Sequence, residues 1–425
     1  MKAGKLYRSL GMLAIVLMLG TISVLAAPTG GSKFNHTTKS KEAKQYFDQA
    51  ILALENYALP PQINELAKKA IDLDPDYALA TYIYGVTMTP PQDPAPVVQK
   101  AFDLGKKASD GERRYLEAVQ LLRQQKATEA LPILKELATQ FPDERMVQMM
   151  LGQVSVNTGN RADAKAAFEK ARQLDGSTAR VHGFLGNVAL MDGQFSEARE
   201  LFKASLSKKA PGAMPFNAHY GLVYADVYEG KHEKAIKHLE AFYAEYIKSE
   251  APKFFPPVFI WNSIGRINLE FGNAEAAIKA YEKGYESVPS SNLNEDDKKT
   301  WFGRMHHGRA RALAKLGKFD EAWKEAELIK KMIEESGDKG KQYWTSYHYV
   351  AGYIKLEKGE VAAAVEHLKQ ADQTDQFHRL LLARAYEKSG DKENAKLIYT
   401  ELAKQPLPNL ETALAYPEAK KKLKG

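Results

Sequence analysis

The ten histidines are the first side chains to weigh for chemistry, because imidazole serves as metal ligand, base or acid. His306 and His307 are adjacent, and neighbours on a helix point about 100° apart. His232 and His238 are six apart and do not share a helix face either. No His-Glu-x-x-His occurs, so no metal site is expected. There are no cysteines; thiolate nucleophiles, disulfides, Cys-ligated zinc and the lipid-bearing thiol of a bacterial lipoprotein are excluded. No Gly-x-Ser-x-Gly elbow occurs and no Gly-rich phosphate loop follows a strand pattern, so neither a serine hydrolase nor a nucleotide or other cofactor is expected. Asn35-His36-Thr37 is a glycosylation triplet that acts only in a eukaryotic secretory pathway. The expectation is a protein that is not an enzyme. A small-molecule binder or enzyme working from a groove is the alternative.

Charge points the same way. Lys and Arg number 60 against 53 Asp and Glu, a formal +7. Three of the cations, Lys2, Lys5 and Arg8, lie in the first segment. No basic block interleaves with aromatics, so no nucleic-acid partner is expected. The run Lys420, Lys421, Lys422, Lys424 reads as a solvated helix end. Hydrophobic residues make up 44% and charged residues 27%, a balance that folds.

Residues 1–26 carry a targeting pattern. The cations of residues 2–8 precede an apolar run from Leu10 to Leu25, followed by Ala26 and Ala27; this is the three-part secretory signal. Gly20, Thr21 and Ser23 interrupt the run and leave it short for a membrane span. Cleavage after Ala26 is expected, with contact to a membrane only through this segment if it stays uncut. The chain is therefore expected to be exported, periplasmic or secreted. Residues 27–40, opening Ala-Pro-Thr-Gly-Gly-Ser, read as a flexible linker.

The remainder, 41–425, is organised by recurrence. A Gly followed five residues later by Ala appears at Gly159/Ala164, Gly193/Ala198, Gly230/Ala235, Gly272/Ala277, Gly317/Ala322, Gly359/Ala364 and Gly390/Ala395, with Gln125/Ala130 as a degenerate copy. A bulky residue follows four positions after most of these Ala: Leu134, Phe168, Phe202, Leu239, Tyr281, Leu368 and Tyr399. That spacing lays one stripe along a helix. The Gly ends the preceding helix in the left-handed conformation of a C-cap. Upstream stand large-small pairs such as Leu151-Gly152, Leu185-Gly186 and Ile264-Gly265, where the small residue lets helices approach. Leu151 to Leu185, Gly159 to Gly193 and Phe168 to Phe202 are each 34 residues apart. After Gly193 the intervals become 37, 42, 45, 42 and 31. The extra residues around Lys208–Met214, Ile247–Pro257, Ser287–Lys299 and Ser336–Lys341 are read mostly as loops.

The run Leu151, Gly152, Gly159, Ala164, Phe168, Ala171 and the trio Trp261, Ile264, Gly265 resemble the tetratricopeptide-repeat consensus, an exported bacterial type in overall style. The resemblance implies an all-α, right-handed superhelical solenoid of stacked antiparallel helix pairs, with about nine hairpins and a short C-terminal helix after the last. It implies a protein–protein interaction scaffold of the cell envelope or periplasm, binding a peptide or helical segment of a protein partner on its concave face. By the same resemblance the inward side chains include Tyr220, Tyr224, Asn262, Arg266 and Arg304. His307, Arg311, Tyr349 and Tyr353 continue the row. Arg forks suit carboxylates and Tyr gives rigid contact area. Asn262/Arg266 and His307/Arg311 share only the spacing of the family's carboxylate clamp for chaperone tails, and Tyr220/Tyr224 do not supply its first pair.

Overall fold

A computed structural model describes residues 32–89, 92–253 and 255–424. Among them the chain is all-helical and forms ten consecutive helix pairs and one final helix. The pairs are α1 (Lys41–Glu55) with α2 (Pro60–Leu73), α3 (Ala78–Val86) with α4 (Ala95–Gly105), and α5 (Asp110–Arg123) with α6 (Ala127–Gln140). Next come α7 (Arg145–Asn157) with α8 (Arg161–Leu174), α9 (Ala179–Met191) with α10 (Phe195–Lys208), and α11 (Phe216–Tyr228) with α12 (His232–Tyr246). The last are α13 (Val258–Glu270) with α14 (Ala274–Glu286), α15 (Glu295–Lys315) with α16 (Phe319–Glu335), α17 (Trp344–Lys358) with α18 (Val361–Lys369), and α19 (Gln376–Ser389) with α20 (Lys392–Leu402). The helix α21 (Leu410–Lys422) closes the chain. The first two pairs carry no Gly-x4-Ala mark, because a proline starts α2 and another precedes α4.

The turn inside each later pair is set by its left-handed residue. Gly193 has φ +75° and nothing within 4 Å of where a Cβ would stand, and Gln194 N–H then reaches back to the Ala189 carbonyl at 2.9 Å. This wrapped C-cap satisfies carbonyls that the helix end leaves free. Gln125 takes the same conformation, φ +63°, with a side chain attached, at a cost of about 1 kcal/mol.

Packing follows from the stripe. Phe202 of α10 is fully buried, a burial that contributes about 2–3 kcal/mol. Its ring lies between Gly186 of α9 and Gly221 of α11; a Cβ on Gly186 would stand 2.6 Å from it, and one on Gly221 would strike it directly. Tyr281 of α14 is held likewise between Gly265 of α13 and Gly308 of α15, with 2.8 and 2.6 Å to the missing Cβ atoms. The small residues thus seat a ring of the second helix, from their own pair or the preceding one, and do more than bring helices together.

Successive odd-numbered helices touch one another, α7 with α9, α9 with α11, α13 with α15, and α15 with α17. Even-numbered helices make no comparable contacts, so the odd ones line the inner face. The segment 287–299 is only partly loop. Asn294 accepts from Asp297 N–H at 2.8 Å, and Glu295, Asp296 and Asp297 fill the first turn, where carboxylates meet the positive end of the dipole. The helix therefore starts at Glu295 and runs 21 residues.

The linker reading fails in its described part. Phe34 is 4% exposed and lies against Tyr115 and Phe141 with ring centroids 6.4 and 5.7 Å away. Thr37 N–H donates to the buried Glu112 at 3.0 Å. Composition at 27–31 suggested freedom, but the apolar Phe34 and the hydrogen-bonding Thr37 pin residues 32–38 to α1, α3 and α5. The secretory segment 1–26 lies outside the described residues.

Two closures bend the stack onto itself. The α1–α2 turn docks on the starts of α7 and α9: Asn56 accepts from Ala179 N–H at 3.0 Å, Arg145 of α7 pairs with the buried Glu55, and Arg180 of α9 lies over the Tyr57 ring at 5.3 Å. At the other end α21 packs on α19 and α20 and reaches across to α11, four pairs back.

Candidate functional site

The inner face of α11 to α19 holds most of the polar residues that sequence reasoning singled out. Arg266 and Glu270 stand four apart on α13 and so share a face. Arg311 of α15 donates to Tyr349 Oη of α17 at 3.0 Å and Tyr281 Oη of α14 at 3.3 Å. The Glu270 Oε1 atom lies 3.8 Å from Arg266 Nε and 3.7 Å from Arg311 Nη1, within ion-pair reach but beyond a hydrogen bond. Arg266 stacks on Phe377 of α19 at 4.3 Å. His378 stacks on Tyr349 at 3.8 Å, and His307 lies 4.8 Å from the same ring.

This cluster is interior. Arg311 is 3% exposed, Tyr349 0% and Tyr353 2%. Burial works against the charge of Arg266, but Tyr349, Glu270 and Glu411 around it outweigh that and hold the guanidinium above its ordinary value. Burial pushes Tyr349 up to about 12. It pushes His378 down to about 4, against the pull of Asp375. Burial and then Arg311 place His307 well below the usual imidazole range. At neutral pH both imidazoles are therefore neutral and the arginines charged. Arg266 Nε and Nη2, Glu270 Oε1, His378 Nδ1 and Thr412 Oγ1 are buried without a hydrogen-bond partner.

The nine inward residues do not form one open trough. Tyr220 is spent internally, donating to the Phe259 carbonyl at 3.2 Å with Ser263 Oγ also at 3.2 Å. Tyr224 is half-buried beside it. Asn262 is half-buried and shares no hydrogen bond with the cluster. Arg304 is exposed and lies over Trp301 at 4.8 Å. Arg266, His307, Arg311, Tyr349 and Tyr353 come together, but between helices. Their inward direction followed from the repeat; their burial follows from contacts among α13, α14, α15, α17 and α19, which no local pattern shows.

Other members went unread. Glu270, Phe377, His378 and Arg384 complete the cluster, and the spacing of Glu270 from Arg266 was available to find the first. Three contacts cross the pairs at matching places: His219 with His238 at 3.3 Å, His306 with Glu325, and His348 with His367 at 3.0 Å. Each first partner stands 11 residues before a turn glycine, and each second 8 after it. Counting histidines from the glycine, not from each other, would have revealed them. His232 instead stacks on Phe271 at 4.2 Å.

Among the described residues no three His, Cys, Asp or Glu gather as a metal site would require. No described helix is long and apolar enough to cross a membrane. One surface depression of about 400 Å³ lies along α4 between Pro96 and Lys107, away from the cluster.

Comparison with known proteins agrees with the helix pairs. Models of the tetratricopeptide repeat match residues 149–213, 220–292 and 379–406. No curated protein matches the chain. Among solved structures, a tetratricopeptide repeat protein from Parabacteroides merdae is 15% identical, with 65% of this chain and 98% of that one covered and a TM-score of 0.43. PilW, a type IV pilus biogenesis factor, is 15% identical over 52% and 92%, with a TM-score of 0.41. MamA from Desulfovibrio magneticus is 20% identical over 43% and 97%, with a TM-score of 0.35. The matched stretches fall on the pairs α7 to α14 and α19 to α20, and over them the chain carries tetratricopeptide repeats.

Proposed function

We propose that the chain is a non-catalytic scaffold of the cell envelope or periplasm, exported through its first segment, that binds a protein partner on the inner face of its helix stack. The fold supports an interaction role. The observation that carries the finer reading is that the inner face already receives segments of its own chain in both forms expected of a partner. Residues 32–38 lie as a non-helical segment against α1 and α5, and α21 lies as a helix against α11 and α19.

The test is affinity purification of the full chain from envelope extracts with quantitative mass spectrometry. One stoichiometric partner, and a mature N-terminus at Ala27, are expected. Recovery of no stoichiometric protein removes the scaffold reading, and a start at Met1 removes cleavage. A small anionic ligand beside Arg266 is the second reading, favoured by its buried Nε and Nη2, which have no hydrogen-bond partner among the described residues. Thermal stabilisation by a dicarboxylate, lost in Arg266→Lys, decides for it.

A further inference from the structure

The helix α21 differs from the ten pairs in how it is held. It follows residues 403–409, which include Pro406 and Pro408 and expose Lys404 and Gln405. Pro417 sits inside it and removes one of its helical hydrogen bonds. Its hold on α11 is local: Tyr228 Oη donates to the Leu407 carbonyl and accepts from Leu407 N–H, both at 2.8 Å, and the Tyr228 and Tyr416 rings meet edge-on at 5.7 Å. Its buried face is small and mostly aliphatic: Leu410, Ala413, Leu414, Ala415 and Ala419, with Thr412 the one polar member. One carboxylate completes the match: Glu418 forks onto Arg384 of α19 at 2.9 and 2.5 Å.

We propose that α21 is a displaceable internal ligand, and that the external partner of the inner face from α11 to α19 is a helix with a leucine–alanine face and a carboxylate placed to take Arg384. This rests on the scaffold reading only in assuming that a partner uses this face. A partner of that kind meets Arg384 and the same aliphatic wall, and it competes with α21. Its apparent affinity is reduced by the fraction of molecules in which α21 is seated.

The experiment uses the full chain and a fluorescent peptide of residues 406–424. Leu414→Ala with Glu418→Gln loosens α21 without touching the wall it leaves. Hydrogen exchange of residues 410–422 is expected to rise in this variant while α11 to α19 stay protected. The peptide is expected to bind it at least about tenfold more tightly than it binds the parent chain. A peptide carrying Glu418→Gln is expected to bind at least about tenfold more weakly than the unaltered one. Absence of saturable peptide binding while 410–422 exchange freely overturns the proposal. So does exchange of 410–422 that stays at the limit set by global unfolding. Glu418→Arg, which sets like charge against Arg384, is the second variant if the first aggregates, and is read by the same two measurements. Peptide binding without capture of any envelope protein leaves this inference standing and removes the scaffold function; capture without peptide binding does the reverse.

Discussion

Arg311→Ala is expected to unfold the second half of the stack before it affects binding by any partner. The guanidinium is 3% exposed and donates to Tyr349, Tyr281 and the His307 carbonyl at 3.0, 3.3 and 3.3 Å. Removing it leaves two buried hydroxyls and one carbonyl short of a donor, and leaves Glu270 with Arg266 alone. Breaking one side of a buried, charge-assisted set costs about 3–5 kcal/mol, and the vacated volume adds to that. Arg304→Ala is the matched control. That side chain is exposed and its contact is a cation–π stack on Trp301, worth about 0.5–1 kcal/mol at such a site. The assay is urea unfolding followed by circular dichroism, with exchange of the α13 to α19 amides to locate the loss, because long repeat arrays do not unfold as one unit. An Arg311→Ala chain within about 0.5 kcal/mol of the parent would refute the reasoning and return Arg311 to the list of surface ligands.

Gly221→Ala drives a methyl into the Phe202 ring and is expected to cost about 1–3 kcal/mol by overpacking, despite the better helix propensity of Ala. Restoring the midpoint with Phe202→Leu in the same chain checks the cause. Gln125→Gly relieves a left-handed side chain and is expected to stabilise by up to about 1 kcal/mol, read as a higher denaturant midpoint; a lower one sinks that account. The His219 pKa lies near 3 through burial, then His238 and Lys209, below its unfolded value of about 6.5. The unfolded chain therefore binds the extra proton: the stability from neutral His219 is fully present above pH 6.5 and is lost as pH falls toward the folded pKa. At about 1.4 kcal/mol per unit this amounts to about 3 kcal/mol between pH 6.5 and 4. Comparing denaturation of His219→Phe with the parent at both pH values isolates it from Glu144, which burial raises to about 7 and which acts in the opposite sense. A difference between the two chains that does not change with pH removes the assignment.

The local grammar was legible because each part of it is a short-range rule. A glycine that must take positive φ, an alanine five residues on and a ring four further on fix one hairpin, and Gly159, Gly193 and Gly390 all do so. The direction of Arg266, Arg311, Tyr349 and Tyr353 came with the repeat for the same reason. Their burial did not, because it depends on contacts between helices of different pairs, such as Arg266 on Phe377 and Arg311 on Tyr349. Phe34 is the same lesson on a smaller scale: five residues of linker composition hid one apolar anchor whose pocket, at Gly111 and Tyr115, lies far along the chain. The two registers of ring-seating glycine were only half visible, since Gly221 and Gly308 stand two positions earlier than Gly152 and serve the preceding pair.

The closure also accounts for why charges stand on an inner face that alanine and leucine could have filled. Replacing buried ion pairs by apolar residues of equal volume is commonly neutral or stabilising, so stability alone does not explain Arg266, Glu270, Arg311 and Arg384. What they share is that each meets a group on another helix. Arg266 of α13 stacks on Phe377 of α19, Glu270 of α13 faces Arg311 of α15, Arg311 reaches Tyr349 of α17, and Arg384 of α19 forks onto Glu418 of α21. An aliphatic face tolerates many offsets between stacked helices, because dispersion has no direction. A guanidinium that must find a carboxylate or a hydroxyl within hydrogen-bond distance tolerates few. The polar chain from α13 to α21 therefore ties the helices to a single register where the repeat lengths drift from 34 to 45 residues and the repeat geometry no longer supplies one. Because that chain ends on a carboxylate of α21, the element that completes it is also the one another helix with the same carboxylate could replace.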